Sequence, residues 1–307
     1  MRRAIVDVGS NSVLLVVAEK SDLGWQAIYE SSEVTGLGTG IKRTGEIQKD
    51  AAERTLAAIK RAAERATDRN AKCEVVGTMA LRIAKNAEAF MAQASRQGTP
   101  MRVLSGEEEA ELGLQAVLDD PTFSEHKLVC VIDPGGNSTE MTVADRSSGD
   151  AHIVFQHSFP VGALGLIDGP LHDETPDGPA RLDAIVLVDG LLNSVKVPDN
   201  CGTAIALGAT PTNLASIWMK LEKFDHKAVH GAQIGFETVS KSVGALCDMK
   251  EKARAALRGI EPGREKTIHA GALILERFMN AAHVEKCFVS SRGWRHALAF
   301  FDEPRPF

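Results

Sequence analysis

A short strand–turn template occurs twice in the chain, and it limits the folds that the chain can adopt. Residues 7–12 and 133–138 both read Asp-x-Gly-x-Asn-Ser, and each copy follows an apolar run and precedes further strand-like sequence. For either copy alone, an ordinary hairpin turn is at least as good an interpretation as a functional one. Two copies that match at four positions indicate an internal duplication, with one turn in each half of the chain.

The residue types in both turns suit an anionic ligand. Glycine lets the backbone approach a ligand closely, and successive backbone N–H groups in such a turn form a concave anion site. Hydroxyl and amide side chains add further donors, and each turn starts with an aspartate, Asp7 or Asp133, that is able to hold a divalent cation. The sequence therefore predicts a two-lobed phosphate-handling protein whose two turns face each other across a cleft.

Composition is that of an ordinary soluble globular protein, with 307 residues, 44% of them hydrophobic and 25% charged. The net charge of -6 argues against a general nucleic-acid binder. No apolar run is long enough to span a bilayer, and the start of the chain lacks the pattern of a signal peptide. Five scattered cysteines without CxxC spacing indicate buried free thiols. We therefore expect a cytoplasmic protein with no membrane partner and no nucleic-acid partner.

Strand-like and helix-like segments alternate in both halves, which predicts an α/β fold. Residues 119–125 are polar and turn-rich, and they predict the boundary between the halves. The expected domains are residues 1–120 and 121–307, with the option that the last helix packs back on the first domain.

Three further segments carry candidate site residues. Arg82 follows a predicted strand, and its guanidinium fork suits phosphate oxygens, although a bridge to a nearby carboxylate explains it equally well. Residues 107–109 are three glutamates at the start of a predicted helix, where acidic residues are favoured for structural reasons alone. Only one of them needs to point into a cleft to act as a base. Residues 208–213 form a strand-to-helix turn, which is a third candidate phosphate site.

Six segments together resemble the exopolyphosphatase/guanosine pentaphosphate phosphohydrolase (Ppx/GppA) family of the actin-like ATPase superfamily. The likeness covers essentially the whole chain in order and spacing, and its segments are residues 7–12, 77–82, 105–110, 133–140, 208–213 and 290–295. It implies two ribonuclease-H-like domains with the active cleft between them. Longer relatives carry additional C-terminal helical domains, so the chain resembles a short two-domain form.

The resemblance also implies roles for individual residues. Glu109 matches the catalytic base, and Glu140 matches an acidic residue linked both to magnesium and to the attacking water. Asp133 and Asp7 are expected to join Glu140 in holding the metal. The expected phosphate-binding residues are Ser10, Asn11, Ser12, Arg82, Gly135, Gly136, Asn137, Ser138 and Thr210.

The second turn departs at two positions from the family's usual Asp-Ile/Val-Gly-Gly-Gly-Ser-Thr-Glu. Pro134 removes one backbone donor, whereas Asn137 is able to keep the turn because asparagine tolerates left-handed backbone angles. Gly36, Met79 and Ala209 also differ from the residues that many members carry. These departures weaken the case for full activity but leave the predicted fold unchanged.

The activity that the resemblance implies is hydrolysis of the terminal phosphoanhydride of inorganic polyphosphate by metal-assisted water attack. The expected protein is an exopolyphosphatase that works as a homodimer with Mg²⁺, and with K⁺ as a candidate activator. Three alternatives stay open: a guanosine pentaphosphate 5′-phosphohydrolase, a catalytically weak polyphosphate- or alarmone-binding protein, and a small-molecule kinase of the same superfamily. Glu109 and the short length disfavour the kinase.

Overall fold

Two mixed β-sheets organise the chain, one in each of two structural units. The computed structural model describes residues 1–22 and 24–300. The first unit comprises Met1–Leu112 together with the segment that begins at Trp294, and the second comprises Gly113–Gly293. Strands and helices alternate in both units, so the prediction of an α/β fold is confirmed.

The first unit is built on a five-stranded sheet. Its strands are β1 (Arg2–Val8), β2 (Ser12–Ser21), β3 (Gly24–Val34), β4 (Lys72–Gly77) and β5 (Met101–Val103). They lie in the order β3-β2-β1-β4-β5. The pairs β1–β2 and β2–β3 are antiparallel, whereas β1–β4 and β4–β5 are parallel. The helices of this unit include α1 (Ile41–Thr44), α2 (Lys49–Thr67), α3 (Met79–Ile83), α4 (Ala87–Arg96) and the first part of α5 (Gly106–Leu118).

Apolar side chains between this sheet and α2 form the core of the first unit. Helix α2 packs on β1, β2 and β4, and it buries Leu56 and Ile59 against strand residues such as Val6 and Leu15. Its polar residues lie on the opposite face, which is the amphipathic pattern of a helix on a sheet. This packing fixes β1, and with it the position at which the first turn begins.

The second unit is built on a six-stranded sheet. Its strands are β6 (Leu128–Pro134), β7 (Thr139–Asp145), β8 (His152–Phe159), β9 (Thr203–Leu207), β10 (Gln233–Gly235) and β11 (Lys286–Ser290). They lie in the order β10-β11-β9-β6-β7-β8, and β6, β9 and β11 are mutually parallel. The carboxyl ends of these three strands therefore lie along one edge of the sheet, where ligands of α/β proteins usually bind.

Helices surround this second sheet. They are the remainder of α5, α6 (Ala163–Ile167), α7 (Gly178–Asn193), α8 (Ala209–Trp218), α9 (His226–Val229), α10 (Phe236–Asp248), α11 (Glu251–Ala255) and α12 (Ile268–Ala281), with short 3₁₀ helices at Pro121–Phe123 and Arg264–Lys266. Helix α12 is buried along most of its length and packs on α7, α8 and α10. Within residues 1–22 and 24–300, no helix combines the length and the apolar character needed to cross a membrane.

The two sheets repeat one arrangement of strands. In each unit, one copy of the duplicated turn connects the first two strands, which form an antiparallel hairpin. A third strand pairs antiparallel with the second, and a parallel strand pairs with the other edge of the first. Strands β1 to β5 thus correspond in order to β6, β7, β8, β9 and β11, and β10 is an addition at the edge. The fold therefore repeats together with the sequence template.

The division between the two units falls within α5, between Leu112 and Gly113. The sequence instead places a domain boundary at residue 120, because residues 119–125 are polar and turn-rich. In the structure, Asp120 caps a 3₁₀ helix inside the second unit, and its side chain accepts a hydrogen bond from the N–H of Thr122 (3.0 Å). The polar segment is therefore a capping turn within the second unit.

The last described helix, α13 (Trp294–Phe300), belongs to the first unit. It packs on β1, β2 and β3. Two of its side chains reach Glu30 of β3: Arg295 Nη2 lies 3.3 Å and His296 Nε2 lies 3.1 Å from Glu30 Oε2. These contacts attach the end of the described chain to the sheet with which the chain begins.

Candidate active site

The first turn joins β1 to β2 and is held by its own backbone. The N–H of Gly9 donates to Ser12 O at 3.0 Å, which closes the turn. N–H groups of the glycine-rich segment 35–38 donate to Ser10 O (2.7 Å) and to Asn11 O (2.9 and 3.0 Å). Because a trans peptide directs its N–H opposite to its carbonyl, the next two N–H groups along the turn point away from that segment. The turn therefore directs two consecutive amides to one side.

The second turn joins β6 to β7 and has the same closing hydrogen bond, but its two supported carbonyls lie one template position earlier than in the first turn. The N–H of Gly135 donates to Ser138 O at 2.9 Å. The carbonyls of Gly135 and Gly136 accept hydrogen bonds from the first two residues of α6, at 3.0 and 2.8 Å. The amides of Gly136 and Asn137 consequently point away from α6. Both copies of the template thus form the type of turn that can bind an anion through successive N–H groups.

The second turn keeps the closing hydrogen bond of the first turn although it contains Pro134 and Asn137. Its closing hydrogen bond, from Gly135 to Ser138, has nearly the same length as that of the first turn. Pro134 ends β6 opposite Thr139, so the donor that it lacks is at the end of the ladder. Asn137 is not among the non-glycine residues with positive φ in the described chain. The turn is therefore closed without a left-handed conformation at Asn137.

Gly162 is a residue of the site that the sequence analysis missed. A Cβ atom at this position would lie 2.4 Å from Asn137 N and 2.5 Å from Gly136 O. Its backbone is extended (φ -152°, ψ 171°), so the requirement for glycine comes from space and not from its dihedral angles. The absence of a side chain lets the start of α6 lie directly against the second turn. A glycine after a strand was the only signal for it in the sequence.

Two carboxylates lie side by side next to the second turn. Asp133 and Glu140 are directly opposite each other in the β6–β7 ladder, and residues in that relation share one face with Cβ atoms about 4.5–5.5 Å apart. The hydroxyl of Ser158 donates to Glu140 Oε1 at 2.8 Å. A Cβ atom on Gly208 would lie 2.8 Å from Asp133 Oδ1, so this carboxylate lies close to the start of α8. The pair therefore adjoins both the turn and the α8 helix terminus.

This donor set fits Mg²⁺. The ion is usually held by one or two carboxylates, with water and substrate phosphate oxygens completing its octahedron. Within the described part of the chain, no group of three His, Cys, Asp or Glu residues is placed to form a protein-only metal cage. Asp133 and Glu140 suit an ion that is bound together with phosphate. Asp7 is buried opposite Leu14 in the first hairpin, so the first turn brings one carboxylate where the second brings two.

The third candidate phosphate site, residues 208–213, is the first turn of α8. Thr210 is buried, and its hydroxyl lies against Gly271 of α12. Thr212 Oγ1 donates to backbone carbonyls of the same turn at 2.9 and 3.0 Å. The side-chain amide of Asn213 exchanges hydrogen bonds with the side chain and N–H of Glu261 (2.9 and 2.8 Å). Thr212 and Asn213 therefore stabilise the turn, and the phosphate role of Thr210 stays a prediction.

The structure separates the three glutamates at the start of α5. Ser105 Oγ accepts a hydrogen bond from the N–H of Glu108 (3.0 Å), and Glu108 Oε2 accepts one from the N–H of Ser105 (2.6 Å). This reciprocal pair is a capping box, so the role of Glu108 is structural. Glu107 is exposed. Glu109 is the member of the three whose side chain is directed to the predicted site residue Arg82.

Arg82 and Glu109 form a partly buried ion pair in the first unit. Arg82 Nη1 donates to Glu109 Oε2 and also to Leu104 O (2.6 Å), and the two side chains are 20% and 11% exposed. The bridge to a carboxylate, which the sequence left as an equal alternative, is therefore present. A phosphate contact of Arg82 stays a prediction. The pair holds the Glu109 carboxylate in one position.

Each unit gathers its predicted residues at the carboxyl ends of parallel strands. In the first unit, the turn follows β1 and Arg82 follows β4, two strands that pair in register up to Val8 and Gly77. In the second unit, the turn follows β6 and Thr210 follows β9. Within a unit, the candidate residues therefore share one edge of the sheet, as ligand-binding residues of α/β proteins do.

Sequence comparison agrees with this arrangement. A sequence model of the Ppx/GppA phosphatase family matches residues 16–305 of the chain. Exopolyphosphatase 2 of Mycobacterium tuberculosis is 27% identical over 292 residues, which cover 90% of this chain and 89% of that protein. The family match extends over both units and includes the whole β6–β7 hairpin.

Solved structures show the same fold. The Ppx/GppA family member of Aquifex aeolicus is 28% identical with a TM-score of 0.77, over 97% of this chain and 96% of that one. An exopolyphosphatase-like protein is 24% identical with a TM-score of 0.90 over the same shares, which is a likeness of fold alone. The predicted ribonuclease-H-like units of the actin-like superfamily and the predicted phosphoanhydride hydrolase class are confirmed. The chain belongs to the Ppx/GppA phosphatase family.

Proposed function

We propose that the chain is an exopolyphosphatase, which releases phosphate from the end of inorganic polyphosphate. The observation that carries this proposal is the repeated turn, because each unit directs two consecutive amides to one side at the carboxyl edge of its sheet. Polyphosphate offers only phosphate oxygens as contacts, and amides, hydroxyls and a guanidinium are the groups that bind them. The likeness to Exopolyphosphatase 2 of Mycobacterium tuberculosis supports the same substrate class.

The proposed phosphate contacts come from both turns and from two neighbouring positions. In each turn the backbone amides bind phosphate oxygens, and the small polar side chains add hydroxyl or amide donors. Backbone N–H groups at the start of α6 and in the segment 35–38 hold these turns, so the amides do not have to be ordered when substrate binds. The contact residues are Ser10, Asn11, Ser12, Arg82, Gly135, Gly136, Asn137, Ser138 and Thr210.

Glu109 is the proposed general base. A water hydrogen-bonded to its carboxylate would transfer a proton to it while the water oxygen attacks the terminal phosphorus and the anhydride bond breaks. The ion pair with Arg82 already fixes this carboxylate, and the guanidinium adds positive charge where phosphoryl oxygens gain negative charge. General-base assistance is typically worth about 10²–10⁴-fold in rate.

Asp133 and Glu140 are the proposed ligands of Mg²⁺ from the second turn. Asp7 is the metal ligand proposed from the first turn. When bound, Mg²⁺ would stabilise negative charge on the phosphate oxygens. The hydroxyl of Ser158 orients Glu140 for this role. The second predicted role of Glu140, towards the attacking water, and activation by K⁺ stay predictions.

We also propose that the protein works in the cytoplasm as a homodimer. Four of its five cysteines are buried free thiols, as is usual in a reducing compartment. Helix α7 exposes Leu182 and Val186, one turn apart, to 59% and 62%. Exposed apolar side chains on one helix face suit a contact with a second protein surface. Sedimentation analysis at several concentrations measures the association directly.

Phosphate release from a substrate panel tests the assignment. The panel contains short polyphosphate, long polyphosphate and guanosine pentaphosphate, each with and without Mg²⁺. We expect Mg²⁺-dependent release from polyphosphate. Release from guanosine pentaphosphate alone would contradict the proposed substrate and favour the 5′-phosphohydrolase. Tight binding of polyphosphate with no release would favour the weakly catalytic binding protein.

A further inference from the structure

A serine, a histidine and an aspartate lie in series in the second unit, outside the residues assigned to phosphate. Ser291 follows β11, His230 follows α9, and Asp120 lies beyond the end of α5. Ser291 Oγ lies 3.4 Å from His230 Nδ1, and His230 Nε2 lies 3.1 Å from Asp120 Oδ2. The imidazole therefore connects a hydroxyl to a carboxylate through its two nitrogens.

The surrounding contacts indicate which nitrogen of the His230 ring is the acceptor. The backbone N–H of Ser291 donates to Nδ1 at 3.3 Å, so Nδ1 is an acceptor, which the Ser291 hydroxyl shares. The ring proton is then on Nε2, which faces Asp120 and, at 3.1 Å, the hydroxyl of Thr122. In this tautomer the ring can take a proton from a serine hydroxyl while a carboxylate orients it.

Asp120 is the ionised member of the series. Its side chain is 1% exposed, and Arg292 Nη1 lies 3.1 Å from its Oδ2. Burial on its own raises the pKa of Asp120, but hydrogen bonds from His230 and from the N–H of Thr122, together with Arg292, lower the pKa to about 2. An ionised carboxylate beside Nε2 stabilises the imidazolium that forms when Nδ1 accepts a proton. Arg292 shares that negative charge.

The adjacent Ser290 shows by contrast why Ser291 is the reactive candidate. Ser290 is fully buried, and its Oγ donates to Arg292 O (3.0 Å) and accepts from the N–H of Arg292 (3.1 Å). Its hydroxyl is therefore used within the loop. Ser291 is partly exposed, and its hydroxyl faces an imidazole nitrogen. A base beside a partly exposed hydroxyl is the arrangement that activates a serine.

We propose that Ser291 is a nucleophile, activated by His230 and oriented through Asp120, which attacks activated carboxylic esters. Ser291 Oγ forms a bond to the ester carbonyl carbon, and its proton passes to His230 Nδ1. The bond between that carbon and the leaving oxygen breaks, and the same proton passes to the leaving oxygen. Water then cleaves the acyl-serine, with His230 taking a proton from the water and returning it to Ser291 Oγ. No oxidant, reductant or metal enters this cycle.

Reaction with p-nitrophenyl acetate tests this proposal. We expect release of p-nitrophenol from the intact chain together with an acetyl group on Ser291, located by fragmentation of the peptide that contains both serines. Ser291→Ala should abolish that adduct. His230→Gln should slow its formation by about 10²–10⁴-fold, the usual value of general-base assistance. Both variants should retain the thermal unfolding midpoint of the wild type, and Ser291→Ala should retain its phosphate release.

Three results would overturn the proposal. They are an adduct on Ser290 or on another side chain instead of Ser291, an unchanged rate of acetylation in a folded His230→Gln variant, and no adduct in the wild type. Phosphate release by the same preparations is measured in parallel. Failure of the acyl chemistry is thereby distinguished from failure of the proposed phosphatase activity, because the two depend on different residues.

Discussion

Two glycines, Gly162 and Gly208, leave the space that the second turn and the Asp133 carboxylate occupy. A Cβ atom on Gly162 would collide with the turn at Asn137, and one on Gly208, whose φ is 85°, would collide with Asp133. Neither glycine belongs to the duplicated template. Each contacts a segment that is distant in sequence, so its neighbours cannot be inferred from local pattern. The turn itself could be predicted, whereas the residues that support it could not.

Gly162→Ala is expected to lower phosphate release by about 10²-fold, because a displacement of about 1 Å at a reacting centre typically has that effect. The added methyl group should also destabilise the second unit by about 1–3 kcal/mol, as overpacking does. Gly190→Ala in α7 is the matched control, since no atom lies within 4 Å of its Cβ position. It should leave the rate unchanged and add about 0.5–1 kcal/mol of stability in urea unfolding. An unchanged rate in Gly162→Ala would contradict this account of the turn.

His269 is a buried ionisable residue that the sequence did not single out. It is 2% exposed, and burial followed by the nearby positive charge of Arg254 lowers its pKa to about 3. The folded chain therefore keeps His269 neutral at pH values where the unfolded chain protonates it. Stability from this residue is complete above pH 6.5 and declines as the pH falls towards 3, by about 1.4 kcal/mol per unit.

Urea unfolding at pH 7 and at pH 5 measures this contribution. Compared with His269→Phe, the wild type should lose about 2 kcal/mol more of its unfolding free energy between the two pH values. His172→Phe is the control, because His172 has a 68% exposed side chain. It should show the same pH dependence as the wild type. Identical slopes for the wild type and His269→Phe would contradict the lowered pKa.

At the scale of single elements, the start of α5 shows which part of a site the sequence can reveal. Its Ser-x-x-Glu signature, at Ser105 and Glu108, is enough to identify the capping glutamate from local pattern alone. The choice between Glu107 and Glu109 depends instead on which helix face meets Arg82, 27 residues away from Glu109. That information comes from packing between α3 and α5. The resemblance to the family singled out Glu109 as the expected base, and that role stays a prediction.

At the start of α8, in contrast, local pattern alone does not identify the role of the polar side chains. A strand-to-helix turn rich in small polar residues predicts a phosphate site through its helix N-terminus. In the structure, Asn213 is engaged by Glu261, 48 residues away, and Thr212 bonds to its own helix. These two polar side chains therefore have a structural explanation, and the partner that identifies it for Asn213 lies elsewhere in the chain.

The β6–β7 hairpin contains Asp133, whose proposed role as a Mg²⁺ ligand can be tested by substitution. Mutation of a residue that only hydrogen-bonds to a metal ligand typically weakens metal affinity about 10–100-fold. Asp133 is itself a proposed ligand, so Asp133→Asn should weaken Mg²⁺ affinity at least as much. Mg²⁺ together with phosphate should raise the unfolding temperature of the wild type and of Asp145→Asn, whose substitution lies at the far end of the same ladder. It should not raise that of Asp133→Asn. An equal rise in all three proteins would exclude Asp133 as a ligand.

For the whole molecule, the duplication is the feature that sequence predicts best. Two copies of one template predicted two similar halves, and both sheets share one strand order apart from the additional edge strand β10. The position of the division was less accessible, because α5 continues without a break from one unit into the other at Leu112 and Gly113. A helix that crosses a boundary leaves no turn or composition change to mark it. Contacts between distant segments define the units.

The central proposal for the molecule is that Glu109 activates the water that attacks a bound phosphate. Its most direct test is the initial rate of phosphate release from polyphosphate, at saturating Mg²⁺, by the wild type, Glu109→Gln and Glu107→Gln. Glu107 is the matched control because it is an exposed glutamate of the same helical turn. We expect Glu109→Gln to lose about 10²–10⁴-fold in rate while still binding polyphosphate, and Glu107→Gln to equal the wild type. A Glu109→Gln variant that hydrolyses polyphosphate at the wild-type rate would contradict the account.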